Sequence, residues 1–565
     1  MSPAATGSQP VHGVTMRFDV PVPTRDGVKL STDIYLPDTP GSFPALLVRT
    51  PYDNSEQRYV DEGRFYSSRG YAYVVQDCRG RYDSEGVFYA WFDEAKDGYD
   101  SQEWVGQQPW CDGKIGTLGA SYDGFTQWIS APQRSRYLKA MVPRVMHSDT
   151  WRETHYFGGA FALTLALYWG LRNSARTRQN ANVHDWDEIF WSLPLIDAAR
   201  QAGRDVKYYQ DWVKHPAYDD YWREITNRYE EMDVPILNMT GWFDVSGGGS
   251  FINFDGMVRE GLTAETRRSQ KLIIGPWRHD LSASSKTGQI DFGPGSPVDL
   301  RALELRWFDY WLKGIHNGIM DEPPIRLFVM GENVWRDEHE WPLARTKFTD
   351  YYLHSAGGAG GMAGGGSLDT ETPYEEPADR YMYDPNNPVP TLGGNHDMPP
   401  EILTIGPWDQ RPIEAREDVL VYTSPELAAD VEVTGPVVLR LFASSSAPDT
   451  DFTARLIDVH PDGRSMNLCE GVIRARYRDS FEHPTLMEPG TVYEFTISLE
   501  VTSNVFKRGH RIRLDISSSN FPRIDRNPNT GHEFGMDAKL RVAEQTIYHT
   551  AKYPSRLVLP VIPHR

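Results

Sequence analysis

The chain has 565 residues, of which 39% are hydrophobic and 24% charged, a balance that excludes a disordered or fibrous protein. At roughly 100–200 residues per domain, about three domains are expected. With 58 Lys and Arg against 78 Asp and Glu, the net charge of −20 repels phosphate backbones and anionic lipid, so neither nucleic acid nor a membrane surface is an expected partner.

Three cysteines, Cys78, Cys111 and Cys469, lie far apart and make neither a disulfide framework nor a zinc site. The stretch Met1–His12 is small and polar, without a basic or apolar leader pattern. The longest uncharged apolar run, Phe157–Leu171, is short for a membrane span and reads as a buried helix. The cytoplasm is the expected compartment.

Between residues 26 and 145, strand patterns at Val28–Tyr35, Ala45–Arg49, Tyr71–Gln76, Ile115–Leu118 and Ala140–Val145 alternate with helical ones at Asp93–Gly106 and Tyr122–Ala131. That alternation predicts an α/β domain with a mostly parallel sheet covered on both faces. From about 150 to 232, strand signals give way to Trp-, Tyr- and Arg-rich segments that suggest inserted helices. The sheet resumes at Ile236–Thr240 and Leu272–Ile274, and a helix at Leu303–Gly314 closes the domain. Gly357–Gly366 reads as a mobile loop, because it has almost no side chains to pack. Beyond about 400, strands at Val419–Tyr422, Val437–Phe442, Phe452–Asp458, Val492–Leu499, Arg511–Ile516 and Leu557–Pro560 predict an all-β sandwich of jelly-roll type. The expected division is 1–148 with 233–348 as the α/β domain, 149–232 as a helical cap and 349–565 as the β-domain.

The segment most informative for chemistry is Gly119-Ala120-Ser121-Tyr122-Asp123-Gly124. A short strand enters a Gly-x-Ser turn and a helix follows, an arrangement that exposes a serine hydroxyl at the carboxyl edge of a sheet. An ordinary serine-capped turn would look the same in isolation. Two further strands end in polar residues, Ile236 to Asp244 and Leu272 to His279. Open α/β sheets place their sites at these ends, and the order Ser, Asp, His is that of α/β-hydrolases. A serine needs an adjacent base to become a nucleophile, and the base needs a carboxylate to fix its tautomer.

The sequence resembles the cocaine esterase-like (CocE/NonD) hydrolases, relatives of X-prolyl dipeptidyl peptidases and α-amino acid ester hydrolases. The resemblance rests on Arg49-Thr-Pro-Tyr52-Asp53, Asp77-Cys-Arg79-Gly80, the Gly-Ala-Ser-Tyr turn, Gly241-Trp-Phe-Asp244 and Gly275-Pro-Trp-Arg-His279, and continues in Gly406-Pro-Trp-Asp-Gln-Arg411 and Ser518-Ser-Asn-Phe-Pro-Arg-Ile-Asp. It implies an α/β-hydrolase domain, a helical cap inserted after the sixth strand and a C-terminal jelly roll. By position it makes Ser121 the nucleophile, His279 the base and Asp244 its acid, with the Tyr52 phenol and the Tyr122 N–H as oxyanion donors. Trp169 and Phe243 stand where substrate-binding side chains are expected, although Trp169 could equally be a bundle-core residue. Asp77 and Arg79 are read as a buried ion pair.

The implied activity is hydrolysis of small carboxylic esters through an acyl-enzyme. An amidase, β-lactam acylase or α-amino acid ester hydrolase using the same residues is the alternative, and an inert ligand-binding protein a third reading. No cofactor or metal is implied; His147, Asp149 and His155 lack metal-ligand spacing. The expected partner is a small-molecule ester, and the oligomeric state is left open. In the α-amino acid ester hydrolases, acids just after the triad aspartate grip an ammonium. Here Val245-Ser-Gly-Gly-Gly249 follows Asp244, which favours a neutral acyl group unless the cap supplies an acid such as Glu153 or Asp185.

Overall fold

The computed structural model describes residues 7–180, 183–281, 284–362 and 364–563. Its first sheet uses β1 (Val14–Pro23), β2 (Lys29–Pro37), β3 (Phe43–Thr50), β4 (Ala72–Asp77), β5 (Cys111–Ala120), β6 (Leu138–Arg144), β7 (Ile236–Phe243), β8 (Gln270–Arg278), β9 (Ile325–Val329) and β10 (Val334–Glu338). The spatial order is β1-β2-β4-β3-β5-β6-β7-β8-β9-β10. From β4 to β9 every pairing is parallel, while β1, β2 and β10 run against their neighbours. The parallel strands are Val-, Leu- and Ile-rich and buried along most of their length, as a sheet covered on both faces requires.

Between β6 and β7 the chain leaves the sheet and builds the cap, whose helices include Leu163–Arg172, Lys207–Lys214 and Asp220–Arg223. Phe157–Leu171 is not one helix, as the sequence had suggested. Tyr156–Phe157 and Ala160–Phe161 pair as a small antiparallel hairpin, and the helix begins only at Leu163. The reason is contact with the C-terminal domain. Gly158 and Gly159 have φ of 49° and 84°, and a Cβ on Gly158 would lie 1.9 Å from the Val472 carbonyl oxygen. Only glycine allows that approach.

The C-terminal part is an eleven-stranded, largely antiparallel β-structure. Its two longest strands, Val431–Ser445 and Tyr493–Phe506, pair with each other and extend well past their expected limits. The glycine-rich stretch is not a loose loop. Ala359 is fully buried, the Gly361 N–H donates to Val419 O, and the Val421 N–H donates to Ala359 O. Absent side chains let this segment's backbone sit directly against the neighbouring strand.

Asp77 and Arg79 do not pair with each other. Arg79 binds Asp97 at 2.6 Å and Asp26 at 2.9 Å. Asp77 instead accepts from the Asn54 N–H at 2.8 Å, and burial pushes its carboxyl up to about 8. The three cysteines are buried and free. No helix among the described residues is long and apolar enough to cross a membrane.

One buried ion cluster ties the hairpin of the cap to the β-domain. Arg474 binds Asp451 and Asp525, each at 2.8 Å, and is 1% exposed. Asp525 also accepts from the Phe161 N–H at 2.9 Å. The Arg474 N–H itself donates to Gly158 O. Removing the cation would strand two carboxylates away from water, so Arg474→Leu should cost about 3–5 kcal/mol. The measurement is the denaturant midpoint, and an unchanged midpoint would contradict this role.

Candidate active site

Four functional groups meet because four parallel strands end at the same sheet edge. Ser121 follows β5, Tyr52 lies just beyond β3, Asp244 follows β7 and His279 follows β8. Ser121 has φ 59° and ψ −127°, a left-handed conformation on a residue with a Cβ. Its N–H donates to Arg144 O at 3.0 Å, while its own carbonyl accepts from the N–H groups of Gly124 and Phe125. The turn needs its glycines: a Cβ on Gly119 would lie 2.4 Å from the Asp123 Cβ, and one on Gly124 would lie 3.2 Å from Arg144 O.

His279 Nδ1 lies 2.7 Å from Asp244 Oδ1. The Asp244 carboxylate is buried and also accepts from Thr240 Oγ1 at 2.7 Å and from the Ser246 N–H at 3.2 Å, so it is fixed in place. His279 Nε2 is buried with no hydrogen-bond partner among the described residues, and the imidazole lines the same cavity as Ser121. Burial disfavours the imidazolium. The Asp244 charge and hydrogen bond outweigh it, helped by Asp397 and Asp280, and lift His279 to about 9.

The Tyr52 phenol accepts from Trp169 Nε1 at 2.9 Å, which leaves its own O–H proton to donate elsewhere. Burial raises this phenol above the ordinary tyrosine range, while the Arg178 charge and hydrogen bonding to Trp169 and Ser121 pull the other way. Tyr122 opens the helix Tyr122–Ser130, so its N–H has no acceptor within that helix.

The inner cavity is lined by Ser121, His279, Trp91, Tyr122, Trp169 and neighbouring residues. Trp91 stacks on Tyr122 with ring centroids 4.7 Å apart and on Trp169 at 5.3 Å, forming one aromatic wall. Trp169 is therefore both a core residue and a cavity wall. Phe243 does not join it: this ring is fully buried in the core shared with the β-domain, against Phe292. His147 and His155 line the cavity as neutral imidazoles, since burial, then the charge of His279, lowers His147 to about 3, and burial likewise depresses His155.

Glu153 and Asp185 do not supply an acid here. Glu153 is engaged by the Ser148 N–H and hydroxyl, and Asp185 caps a cap helix by accepting from the Glu188 N–H. The acid comes instead from the β-domain. Asp397 lines the cavity with Ser121 and His279, and its Oδ1 is buried without a hydrogen-bond partner. Burial raises its carboxyl above the usual range, and the His279 cation opposes that shift. No local pattern around Asp397 marked it, because only the docking of the two domains brings it to the site. The grouping of metal-ligand type among the described residues, Asp458, His460 and His510, lies in the β-domain and does not line this cavity.

Residues 26–280 match the X-Pro dipeptidyl-peptidase (S15 family) profile, and residues 317–558 match the X-Pro dipeptidyl-peptidase C-terminal non-catalytic domain. The chain is 38% identical to cocaine esterase of Rhodococcus sp. (strain MB1 Bresler), over 96% of this chain and 98% of that protein. Among solved structures, an α-amino acid ester hydrolase superposes with a TM-score of 0.84 at 27% identity, over 98% of this chain and 97% of the other. A CocE/NonD family hydrolase from Staphylococcus aureus shares the fold with a TM-score of 0.70 at 20% identity, over 97% and 94% of the two chains. With cocaine esterase matched along almost its entire length, and with both halves of the chain matching S15-type domains, this protein belongs to the CocE/NonD family of serine carboxylic-ester hydrolases.

Proposed function

We propose that this enzyme hydrolyses small carboxylic esters through an acyl-enzyme on Ser121, with His279 as general base and acid and Asp244 as its orienting carboxylate. The observation that carries the reading is the 2.7 Å contact between His279 Nδ1 and Asp244, with Nε2 left unpartnered in the cavity of Ser121. Asp244 keeps the proton on Nδ1, so Nε2 can take the Ser121 proton as Oγ attacks the acyl carbon. The tetrahedral oxygen then accepts from the Tyr52 phenol and the Tyr122 N–H. Collapse expels the alcohol, which takes the proton back from Nε2. Water, activated by the same nitrogen, releases the acid and restores Ser121. The aromatic wall and the neutral His147 and His155 suit an uncharged acyl group, whose burial contributes roughly 25 cal/mol per Å² of apolar area.

A second reading, α-amino acyl esters, is favoured by one feature, the Asp397 Oδ1 in the cavity, which has no hydrogen-bond partner among the described residues. An ammonium entering an apolar pocket costs several kcal/mol unless an anion meets it. The α-amino acid ester hydrolase among the structural relatives adds weight to this reading.

Ser121→Ala should abolish turnover and fluorophosphonate labelling with little change in thermal stability, and residual ester hydrolysis above background would reject the assignment. Tyr52→Phe removes the proposed oxyanion donor, and with it the acceptor of the Trp169 Nε1 proton, so kcat should fall by about 10²–10³ with a modest change in KM. A loss confined to KM would place the phenol on the ground state instead.

The pH profile follows from the sign of the His279 shift. Below its pKa the imidazole is protonated and cannot accept from Ser121. With that pKa lifted to about 9, kcat/KM should climb through pH 7 to 9 rather than level off just above 6.5. Asp244→Asn removes the lifting charge but not the burial, so the limb should move to or below an ordinary imidazole's, with kcat down by about 10⁴. A wild-type limb near 6.5 would contradict the coupling.

Phenylacetyl and phenylglycyl methyl esters separate the two acyl readings, since they differ by the amine alone. Ester hydrolysis of neutral acyl groups predicts a lead for phenylacetyl when the amine is charged. Asp397 as an ammonium anchor predicts the reverse order, abolished in Asp397→Asn.

A further inference from the structure

The inner cavity opens past Ser121, Trp169, His279 and Asp397 into a wider vestibule. In a protein of net charge −20, this vestibule is lined by five arginines, Arg58, Arg144, Arg172, Arg178 and Arg301. Their partners divide them. Arg144 is neutralised by Glu62 at 3.4 Å and Glu304 at 3.0 Å. Arg58 is held by Glu56 at 2.9 Å, and that same carboxylate is 3.9 Å from Arg178, too far for a hydrogen bond. Among the described residues Arg172 donates to neutral oxygens, those of Tyr168 and Gln179. The acids of this vestibule are otherwise engaged: Asp280 with Arg278, and Asp299 with the Ala302 N–H. Asp397 is shared with the inner cavity.

Arg172 and Arg178 thus stand near each other with no carboxylate hydrogen-bonded to either guanidinium among the described residues; Glu56 and Glu401 line the adjoining outer face with them, Glu56 at 3.9 Å from Arg178. Burial and then the charge of Arg178 lower Arg172 below the ordinary arginine range, as expected of neighbouring like charges in a partly buried place. Their position is specific. The Arg178 guanidinium lies 5.0 Å from the centroid of the Tyr52 ring, with Arg58 5.5 Å from it. Arg178 therefore lies against the ring of the proposed oxyanion donor, and Arg172 lines the same vestibule on the open side of Ser121. The closed, aromatic side fits the acyl group. The open side is where a leaving alcohol must depart.

Resting on the esterase reading, we propose that this vestibule binds a carboxylate on the alcohol portion of the ester, held by Arg172 and Arg178. Guanidinium forks match carboxylates geometrically, and charge-assisted hydrogen bonds of this kind are among the stronger ones. The preferred substrates are then esters of hydroxy acids: the acyl group passes to Ser121 as the anionic hydroxy acid departs, and water then releases the acyl group as its carboxylic acid.

The test compares the acetyl ester of 4-hydroxybenzoate with the acetyl ester of methyl 4-hydroxybenzoate, which differ by the charge. The wild-type kcat/KM ratio should favour the carboxylate by about tenfold or more, the equivalent of one charge-assisted contact. In Arg172→Gln/Arg178→Gln the ratio should fall toward one, and the half-exposed Arg178→Gln alone should lower it part of the way. Raising NaCl to about 0.5 M should shrink the wild-type ratio by screening. Because the readout is a ratio, general damage from substitution cancels. A wild-type ratio of one or less, or a ratio unchanged in the double variant, would overturn the proposal. Should neither ester be hydrolysed, the esterase reading fails by itself. The vestibule is then judged by calorimetry with benzoate against benzamide: selective binding of benzoate, lost in the double variant, upholds it, and equal or no binding rejects it.

Discussion

Ser121 is held at φ 59° by its surroundings, not by its own preference. Such a conformation on a residue with a Cβ costs of order 1–3 kcal/mol and persists only where neighbours over-determine it. Here β5 delivers the chain, the Arg144 carbonyl at the end of β6 accepts the Ser121 N–H, and the following helix takes up the serine carbonyl. Gly119 and Gly124 are small because strand, helix and the next strand cross within contact distance. Every other feature of the site is placed relative to this turn. β3 brings Tyr52 from one side, and β7 and β8 bring Asp244 and His279 from the other. The edge-to-edge order of the sheet is thus a spatial order of chemical roles.

The electrostatics of the site depend on concentrating charge in few places. Asp244 accepts from Thr240 and Ser246 as well as meeting His279, which fixes its carboxylate against the imidazole it charges. His147 and His155 are pressed toward neutrality by burial, so these two imidazoles add polarity to the cavity without adding charge. A second cation beside His279 would disfavour its imidazolium, the form it must take in the proposed mechanism. Asp397 enters from another domain and meets His279 across the cavity, so the β-domain contributes to the balance of charge as well as to the wall. The Arg474 cluster and the glycine hairpin that fix the cap to the β-domain therefore bear on the chemistry, although neither touches a substrate.

Most of the parallel sheet was legible in the sequence because both faces are buried, so its strands read as continuous apolar runs between turn residues. β1 was not, since its residues are largely exposed and no face alternates cleanly. The order of Ser121, Asp244 and His279 was legible because each residue follows a strand directly. Phe243 shows where adjacency misleads. Successive side chains in an extended segment point to opposite sides, so the neighbour of a site-facing Asp244 faces the far core. Trp91, His147 and Asp397 carry no local signature. They reach the cavity from three separate connections, and that convergence exists only in the folded domain pair. The glycine-rich stretch misled for a related reason: the absence of side chains, read as freedom, is what lets a backbone pack against a neighbouring strand.

The overall charge and the charge of the vestibule have opposite signs, and distance decides which one a substrate feels. At physiological ionic strength, fields from exposed charges fade over roughly 8–10 Å. Beyond that range an anion meets a weakly repulsive surface, so the acidic exterior cannot steer it inward. Within it, Arg172 and Arg178 face the anion directly, in a partly enclosed space where screening is weaker and forked hydrogen bonds form. The proposed selection for charge would therefore operate by contact after entry. Such an arrangement is expressed in how long a bound ester remains beside Ser121, and less in how often one arrives.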